Sequence, residues 1–328
     1  MYNNKAILIT GGTGSFGRSY ARFLLENFTP KKVIIFSRDE LKQFRMQEEF
    51  RMHKNIRFFL GDVRDLARLQ RAFEGVDIVV HAAALKQVPA LEYNPFEAVQ
   101  TNIVGSQNVI TAALDQGVEK VLLISSDKAA HPVNLYGATK MCAERIFISS
   151  NVYAGGSKAT RFSVVRYGNV LGSRGSIVET ILKKEKGEPL NLTHPDMTRF
   201  WITLDQCFAL VTYALTSMVG GETFIPKVPS MKIVDLFRAL APGKKVEIAG
   251  IRPGEKIHEV LITKEEMRTV VDLGKYFVIL PDILMGGNRY TKYRKVRKTK
   301  GQESMYTSDT NKEWLDRDAL MELLSTNV

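Results

Sequence analysis

The first half of the chain alternates short, continuously apolar segments with segments of helical periodicity. The apolar segments cover residues 6–10, 33–36, 56–60, 78–80, 121–124 and 162–167. Strands that are apolar on both sides are typical of parallel sheets covered by helices on both faces and joined by right-handed crossovers. The pattern therefore predicts an α/β fold with a doubly wound parallel Rossmann sheet in residues 1–170.

The alternation loosens after Gly168, where glycines and prolines interrupt the apolar runs. Residues 171–328 are predicted to form a smaller, interleaved C-terminal region that binds substrate. Within it, the chain is expected to return to the Rossmann domain around residues 198–232. We interpret the basic run at residues 289–300 as a solvated surface segment.

The glycine-rich loop after the first apolar segment predicts a dinucleotide site. Residues 10–17 fit TGxxGxxG, directly after a strand and at the start of a helix. Gly11 permits the tight turn, Gly14 lets the backbone approach a pyrophosphate, and Gly17 lets the helix pack close to the sheet. The helix N-terminus then offers N–H groups to the phosphates. The loop residues assigned to the cofactor are Gly11, Thr13, Gly14, Ser15, Phe16 and Gly17.

The end of the second predicted strand favours NADP over NAD. NAD enzymes usually place an acidic residue there to bind the ribose 2′-hydroxyl. Ser37 and Arg38 stand there instead, with Lys42 one helical turn on, and these groups suit a 2′-phosphate, although Asp39 is close by. Further along the chain, the residues expected to contact the cofactor are Asp62, Val63, Ala82, Ala83 and Ala84.

Tyr136 and Lys140 form a YxxxK string after the fifth predicted strand, which ends near Ser126. Residues four apart share one face of a helix, so the Lys140 charge is expected to lower the pKa of the Tyr136 hydroxyl. Lys140 is also expected to hold the nicotinamide ribose. A tyrosinate of this kind can remove a hydroxyl proton while hydride leaves the same carbon.

The two motifs together resemble the extended short-chain dehydrogenase/reductase family. Longer strings resemble one branch, the inverting UDP-N-acetylglucosamine 4,6-dehydratases that begin pseudaminic acid synthesis. These strings are SRDELKQ from Ser37, HAAALKQVP from His81, SDKAAHPVNLYGATK from Ser126, RYGNVLGSRGS from Arg166, MTRFWIT from Met197 and IRPGEKIHE from Ile251. The resemblance implies a UDP-sugar substrate and a homo-oligomer, with a hexamer as one candidate assembly.

Asp127 and Lys128 suit the dehydration step. Elimination of water across C5 and C6 needs a base for the C5 proton and an acid for the 6-hydroxyl, and this adjacent pair supplies both. The resemblance implies that Tyr136 takes the 4-hydroxyl proton as hydride leaves C4. Lys128 then removes the C5 proton while Asp127 protonates the 6-hydroxyl, and hydride returns to C6 with inversion at C5. Lys128 must be neutral to act as a base, and burial with the neighbouring Lys140 charge is expected to lower its pKa.

Other residues are assigned by motif position. The resemblance places three residues beside the cofactor and the sugar: Lys86, Thr101 and Asn102. It assigns to the UDP moiety or sugar Asn169, Arg174, Arg252 and Glu255, and an arginine fork suits a diphosphate. The chain departs from the branch at two positions, where His131 replaces an expected Asn and Ser126 replaces a usual Thr.

Composition restricts the remaining function classes. The formal net charge of +11 fits nucleic acid, but it also fits a dinucleotide and a nucleotide diphosphate sugar, so neither a nucleic-acid nor a membrane partner is predicted. The absence of a signal-peptide pattern or a long apolar run predicts a cytoplasmic protein. Cys142 and Cys207 are predicted to be buried free thiols, and the scattered histidines predict no bound metal.

Several functions other than inverting dehydration remain open. A retaining 4,6-dehydratase, a UDP-sugar 4-epimerase and a reductase would share the fold, and the Asp127–Lys128 pair disfavours the last two. Long retaining enzymes carry preceding membrane helices and often Met in place of the catalytic Tyr, and this sequence has neither. A non-catalytic NADP-binding regulator would be expected to lack part of the set Ser126, Tyr136 and Lys140.

Overall fold

Residues up to 165 alternate strands with helices, as the apolar pattern predicts. The computed structural model describes residues 1–155, 159–172, 176–185, 188–282, 288–294 and 304–327. The elements of the first half are β1 (Ala6–Thr10), α1 (Ser15–Asn27), β2 (Lys32–Ser37), α2 (Glu40–Glu49), β3 (Ile56–Leu60), α3 (Leu66–Phe73), β4 (Ile78–His81), α4 (Val88–Tyr93), α5 (Pro95–Val99), α6 (Gly105–Asp115), β5 (Lys120–Ile124), α7 (Leu135–Ser149) and β6 (Arg161–Val165).

The second half has shorter elements, separated by the glycines and prolines noted above. They are β7 (Asn169–Val170), α8 (Ile177–Lys183), β8 (Leu190–Leu192), β9 (Thr198–Ile202), α9 (Leu204–Ser217), β10 (Thr223–Pro226), β11 (Ser230–Lys232), α10 (Ile233–Leu240), β12 (Val246–Ile248), β13 (Val260–Ile262), β14 (Val270–Asp272), β15 (Tyr276–Ile279), α11 (Thr291–Arg294), β16 (Tyr306–Thr307) and α12 (Arg317–Asn327).

The main sheet has nine strands in the order β3-β2-β1-β4-β5-β6-β10-β15-β14. The strands from β3 to β10 are parallel, and β15 and β14 add an antiparallel edge. Ile7 and Ile9 face one apolar core, while Leu8 between them faces the other. Helices therefore cover both faces, which confirms the predicted doubly wound Rossmann sheet.

The C-terminal half is interleaved with this sheet. Helix α9 packs in the same core as α1, and β10 pairs with β6, so residues 204–226 lie on the Rossmann sheet. Strand β9 instead joins β7 and β11 in a small separate sheet. A second return at residues 270–279, which forms β14 and β15, was not predicted from the sequence. A third apolar core around Leu236 and Trp201 belongs to the smaller region.

The described part of the basic run is anchored by its tyrosines. The Tyr290 hydroxyl donates to the carbonyl of Gly220 at 2.6 Å, and the Tyr293 hydroxyl donates to the buried Glu222 carboxylate at 3.0 Å. The interpretation of this run as a solvated surface segment holds for Arg289, Thr291 and Lys292, which are exposed, but not for Tyr290 and Tyr293, whose rings are buried. Residues 295–300 lie outside the described residues.

His81 ties the end of β4 to the glycine loop from inside the core. Its ring is buried, with Nδ1 2.6 Å from the Thr10 hydroxyl and Nε2 3.1 Å from the Ser106 hydroxyl. Ser106 donates its own proton to the Asn102 carbonyl, so it accepts from Nε2–H, and Nδ1 accepts from Thr10. Burial lowers the pKa of His81 to about 3, with a smaller contribution from the Lys140 charge.

We predict that His81 makes the fold sensitive to acid. The unfolded chain binds a proton at His81 near pH 6.5, whereas the folded chain binds it near pH 3, so stability falls by up to about 1.4 kcal/mol per pH unit between these values. His81→Gln should be less stable at pH 8, and its deficit relative to wild type should shrink as the pH falls to 4. Urea unfolding between pH 8 and pH 4 measures this deficit. A deficit that did not change with pH would contradict the lowered pKa of His81.

Candidate active site

A cavity of about 790 Å³ runs along the carboxyl ends of the parallel strands. This edge is where open α/β sheets bind ligands. The structure brings to this one cavity the predicted cofactor residues Gly11, Thr13, Gly14, Ser15, Phe16, Gly17, Ser37, Arg38, Lys42, Asp62, Val63, Ala82, Lys86, Thr101, Tyr136 and Lys140. It adds to the same lining Ser126, Asp127, Lys128 and Asn169.

The glycine loop leaves no room for a side chain at Gly11 or Gly17. Gly11 has φ +64°, and a Cβ there would lie 2.8 Å from the Ala83 backbone. A Cβ on Gly17 would lie 2.6 Å from the Cα of Gly12. Gly14 precedes α1 and provides no side-chain cap, so the N-terminus of α1 opens to the cavity. This is the local geometry that binds a pyrophosphate.

The end of β2 presents two cations that are already paired. Arg38 lies 3.4 Å from the Asp62 carboxylate, and Lys42 lies 2.5 Å from the Asp39 carboxylate. The Thr13 hydroxyl donates to the Ser37 hydroxyl at 3.1 Å. The two ion pairs are solvent-exposed and hence weak. Little free energy is therefore lost when either ion pair is broken.

Three buried polar atoms at the cavity have no hydrogen-bond partner among the described residues. They are Oγ1 of Thr101, Oγ of Ser125 and Nε1 of Trp201, each in a residue that lines the cavity. Buried polar atoms in folded proteins are almost always satisfied. These two hydroxyls and one indole N–H therefore fit a site that is completed by polar ligands.

Tyr136 and Lys140 share one face of α7, but they do not interact as predicted. The Lys140 ammonium donates to the backbone carbonyl of Ile124 at 2.7 Å. Burial lowers the pKa of Lys140 to about 8, against the opposing charge of Glu144. Burial raises the pKa of Tyr136, and only Lys128 and a hydrogen bond with Ser126 oppose this. The prediction that Lys140 lowers the pKa of Tyr136 was wrong because its ammonium is directed to the end of β5.

The Asp127–Lys128 pair sits on a short 3-10 turn, Asp127–Ala129, that follows β5. Ser126 caps the turn: its oxygen accepts from the Lys128 amide at 3.2 Å, and its hydroxyl donates to Asp127 at 2.8 Å. The Asp127 amide donates to the Tyr167 carbonyl at 3.0 Å. These bonds direct both side chains to one wall of the cavity, with Lys128 Nζ 3.0 Å from each oxygen of Asp127.

Lys128 is a charged group in this arrangement. A second carboxylate, Glu259, lies 2.9 Å from Nζ on a segment that is distant in sequence. Burial lowers the pKa of Lys128, and Arg199 does so to a smaller extent, but Asp127 and Glu259 outweigh both and raise it above the ordinary value. The prediction of a lowered pKa was therefore wrong, because it took account of burial and Lys140 but not of Glu259.

Glu259 was missed by the sequence analysis. Its side chain is 1 % exposed and is surrounded by cations: Lys128, Lys256 at 3.2 Å and Arg199 at 3.6 Å. Burial opposes ionisation, but these three charges, Lys128 first, lower the pKa of Glu259 to about 2. Glu259 lies in the string that begins at Ile251, yet no local pattern distinguishes it from the polar residues around it.

The residues assigned to the UDP moiety are only partly brought together. Asn169 lines the cavity, whereas Arg252 is exposed and Glu255 accepts from the Thr193 hydroxyl at 3.1 Å, and neither of these two lines it. Arg174 lies outside the described residues. The loop that carries Arg252 contacts the start of α7, because the Gly254 carbonyl accepts from Asn134, the N-cap of that helix.

The two departures from the family strings have structural explanations. His131 has φ +48°, a left-handed conformation in which Asn, Asp and His are all enriched, and its exposed ring lies 3.9 Å from Glu265. Ser126 supplies the hydroxyl that a Thr would supply. Both cysteines are free, with Cys207 buried as predicted and Cys142 only half-buried.

Among the described residues, no three His, Cys, Asp or Glu side chains are grouped so that they could hold a metal ion. No described helix combines the length and apolar character needed to cross a membrane.

Comparisons with known proteins agree over most of the chain. The family model described as polysaccharide biosynthesis protein matches residues 7–281. A Campylobacter jejuni protein named UDP-N-acetylglucosamine 4,6-dehydratase (inverting) is 47 % identical and covers 99 % of this chain and 98 % of its own length. A Rickettsia typhi protein named UDP-glucose 4-epimerase is 41 % identical over 86 % of this chain and 84 % of its own length.

Solved structures give the same picture of the fold. The X-ray structure of Pen from Bacillus thuringiensis superimposes with a TM-score of 0.89, at 39 % identity, over 99 % of both chains. The dTDP-glucose 4,6-dehydratase DesIV from Streptomyces venezuelae reaches a TM-score of 0.69 at 21 % identity, over 77 % of this chain and 86 % of its own. The second likeness extends to the fold alone.

Proposed function

The chain belongs to the polysaccharide biosynthesis protein family, and we propose that it is a UDP-N-acetylglucosamine 4,6-dehydratase, a hydro-lyase that inverts C5. The contact between Asp127 and Lys128 at the cavity wall carries this proposal. A reductase needs only the Ser126, Tyr136 and Lys140 set, whereas an added acid and base suit an elimination. The name and 47 % identity of the Campylobacter relative support the substrate and the outcome at C5.

Bound NADP is the proposed cofactor. The glycine loop and the unpartnered hydroxyls of Thr101 and Ser125 fit a dinucleotide, and Ser37, Arg38 and Lys42 would hold its 2′-phosphate. When bound, the nicotinamide supplies the means of taking hydride from C4 of the sugar and returning it at C6. The protein contributes the proton transfers and the positioning of the substrate.

Tyr136 is proposed to accept the 4-hydroxyl proton. Its hydroxyl shares a hydrogen bond with Ser126 and faces the Lys128 charge, and both lower its pKa against the effect of burial. The 4-ketone that results acidifies the C5 proton, which Lys128 removes while Asp127 protonates the departing 6-hydroxyl. Asn169 and Trp201, side by side in β7 and β9, line the cavity and are proposed to contact the sugar.

The decisive experiment is incubation of the protein with UDP-N-acetylglucosamine in deuterium oxide, followed by NMR of the product. We expect a 4-keto-6-deoxy sugar with deuterium at C5 and the L-arabino configuration, because C5 is deprotonated and then reprotonated on the opposite face. The D-xylo configuration would indicate a retaining dehydratase. A C4 epimer without deuterium at C5 would contradict dehydration and favour the function for which the Rickettsia relative is named.

Removal of the proposed base should block elimination. Lys128→Met keeps the aliphatic stem, and we expect kcat for dehydration to fall by about 10²–10⁴-fold, while the transient absorbance of reduced nicotinamide still appears. Lys54→Met, at an exposed lysine outside the cavity lining, is the matched control and should retain wild-type turnover. Dehydration by Lys128→Met at the wild-type rate would remove Lys128 from the role of base.

Cofactor choice should depend on Arg38. Loss of its charge-assisted contact, worth about 1.5–3 kcal/mol, should weaken NADP binding by roughly ten- to a hundredfold and leave NAD binding nearly unchanged. Titration of cofactor-stripped Arg38→Ala with both dinucleotides measures this. Arg64→Ala is the matched control, since Arg64 also pairs with Asp62, at 2.8 Å, but does not line the cavity. Equal losses for NADP and NAD would contradict the assignment.

A further inference from the structure

Glu259 is the buried group whose role the proposed reaction does not yet explain. It immediately precedes β13, and its backbone is fixed on both sides by Ser308, which accepts from the Glu259 amide through its hydroxyl and donates its own amide to the Glu259 carbonyl, each at 2.9 Å. Its side chain approaches Lys128 Nζ at 2.9 Å, while Asp127 approaches the same atom at 3.0 Å. Two carboxylates thus form ion pairs with one ammonium at the cavity wall.

The charges around Glu259 come from three separate elements. Lys128 belongs to the turn after β5, Arg199 to β9 and Lys256 to the loop before β13. Burial of a carboxylate is costly unless it is paired, so three cations within 3.6 Å mark a constructed site and not a chance contact. The groups that face Lys128 in turn are Asp127, Glu259, Arg199 and Tyr136.

We propose that Glu259 is a positioning residue that keeps Lys128 as an ammonium in the resting enzyme, so that the Asp127–Lys128 pair holds the proton that is delivered to the departing 6-hydroxyl. The inference rests on the proposed dehydratase function. It goes further by identifying the source of the proton for the departing hydroxyl and by adding a residue to the acid–base machinery.

The proton balance closes within the pair. Transfer of one proton from Lys128 Nζ to Asp127, along the 3.0 Å hydrogen bond, gives a neutral amine and a carboxylic acid. The amine then takes the C5 proton, the C5–H and C6–O bonds break, and the C5=C6 bond forms. Asp127 gives its proton to the departing 6-hydroxyl, which leaves as water. The pair ends as ammonium and carboxylate, as it began, and no proton from outside is needed.

The number of protons on the pair sets the active pH range. The Asp127–Lys128 pair is active while it carries this one proton. Loss of the proton at high pH leaves no acid for the 6-hydroxyl. Because the Glu259 carboxylate raises the pKa of Lys128, it should extend activity toward alkaline pH. The Lys256 charge partly neutralises Glu259, so it should act in the opposite direction.

The test measures kcat as a function of pH and compares its alkaline limb, the range in which kcat falls as the pH rises. Two variants are expected to shift this limb in opposite directions. Glu259→Gln keeps the size of the side chain and removes its charge, and the limb should move about one pH unit or more to lower pH with little change in KM for the UDP-sugar. Lys256→Met should move the limb to higher pH. Glu259→Asp, which restores the charge, should return the limb toward wild type even if kcat stays low.

A second readout does not depend on turnover. NMR of isotope-labelled lysine side chains, with the Lys128 signal assigned by its absence in Lys128→Met, should show a lower pKa for Lys128 in Glu259→Gln than in the wild type. The proposal would be overturned if neither the alkaline limb of kcat nor the titration of Lys128 differed between the Glu259 variants and the wild type. A shifted Lys128 titration in a protein that dehydrates no UDP-sugar would instead support the role of Glu259 and reject the proposed function.

Discussion

The rest of the site depends on one contact, in which the Lys128 ammonium lies between the carboxylates of Asp127 and Glu259. Removing one partner from a buried ion pair typically costs about 3–5 kcal/mol, because the remaining charge is left without compensation. Here the partners come from both halves of the chain. The same contact therefore joins the C-terminal segment to the Rossmann sheet and determines the charge state of the group that faces the cavity.

The sheet topology explains why this contact lies beside a dinucleotide site. Parallel strands direct their carboxyl ends to one edge, where the glycine loop follows β1, the paired cations follow β2, and the turn that carries Asp127 and Lys128 follows β5. His81 fixes β4 to Thr10 from within the core, so the loop and the strand next to it keep one relative position. The same strand order therefore places the Asp127–Lys128 pair next to the predicted dinucleotide site.

Local patterns predicted the parts of the site that depend on neighbours in sequence. The apolar strands, the glycine loop and the Tyr136–Lys140 spacing follow from backbone geometry and helical periodicity. The charge state of Lys128 could not be predicted, because Glu259 lies 131 positions further along the chain. The antiparallel edge at residues 270–279 and the anchoring role of Tyr290 likewise depend on partners that no local spacing indicates.

In the proposed reaction, one hydride leaves C4 and returns to C6 of the same sugar, while the Asp127–Lys128 pair moves only protons. UDP-N-acetylglucosamine deuterated at C4 tests this most directly, in a single incubation analysed by mass spectrometry and NMR. We expect a 4-keto product that carries the deuterium at C6. Deuterium retained at C4, or released to solvent, would contradict it.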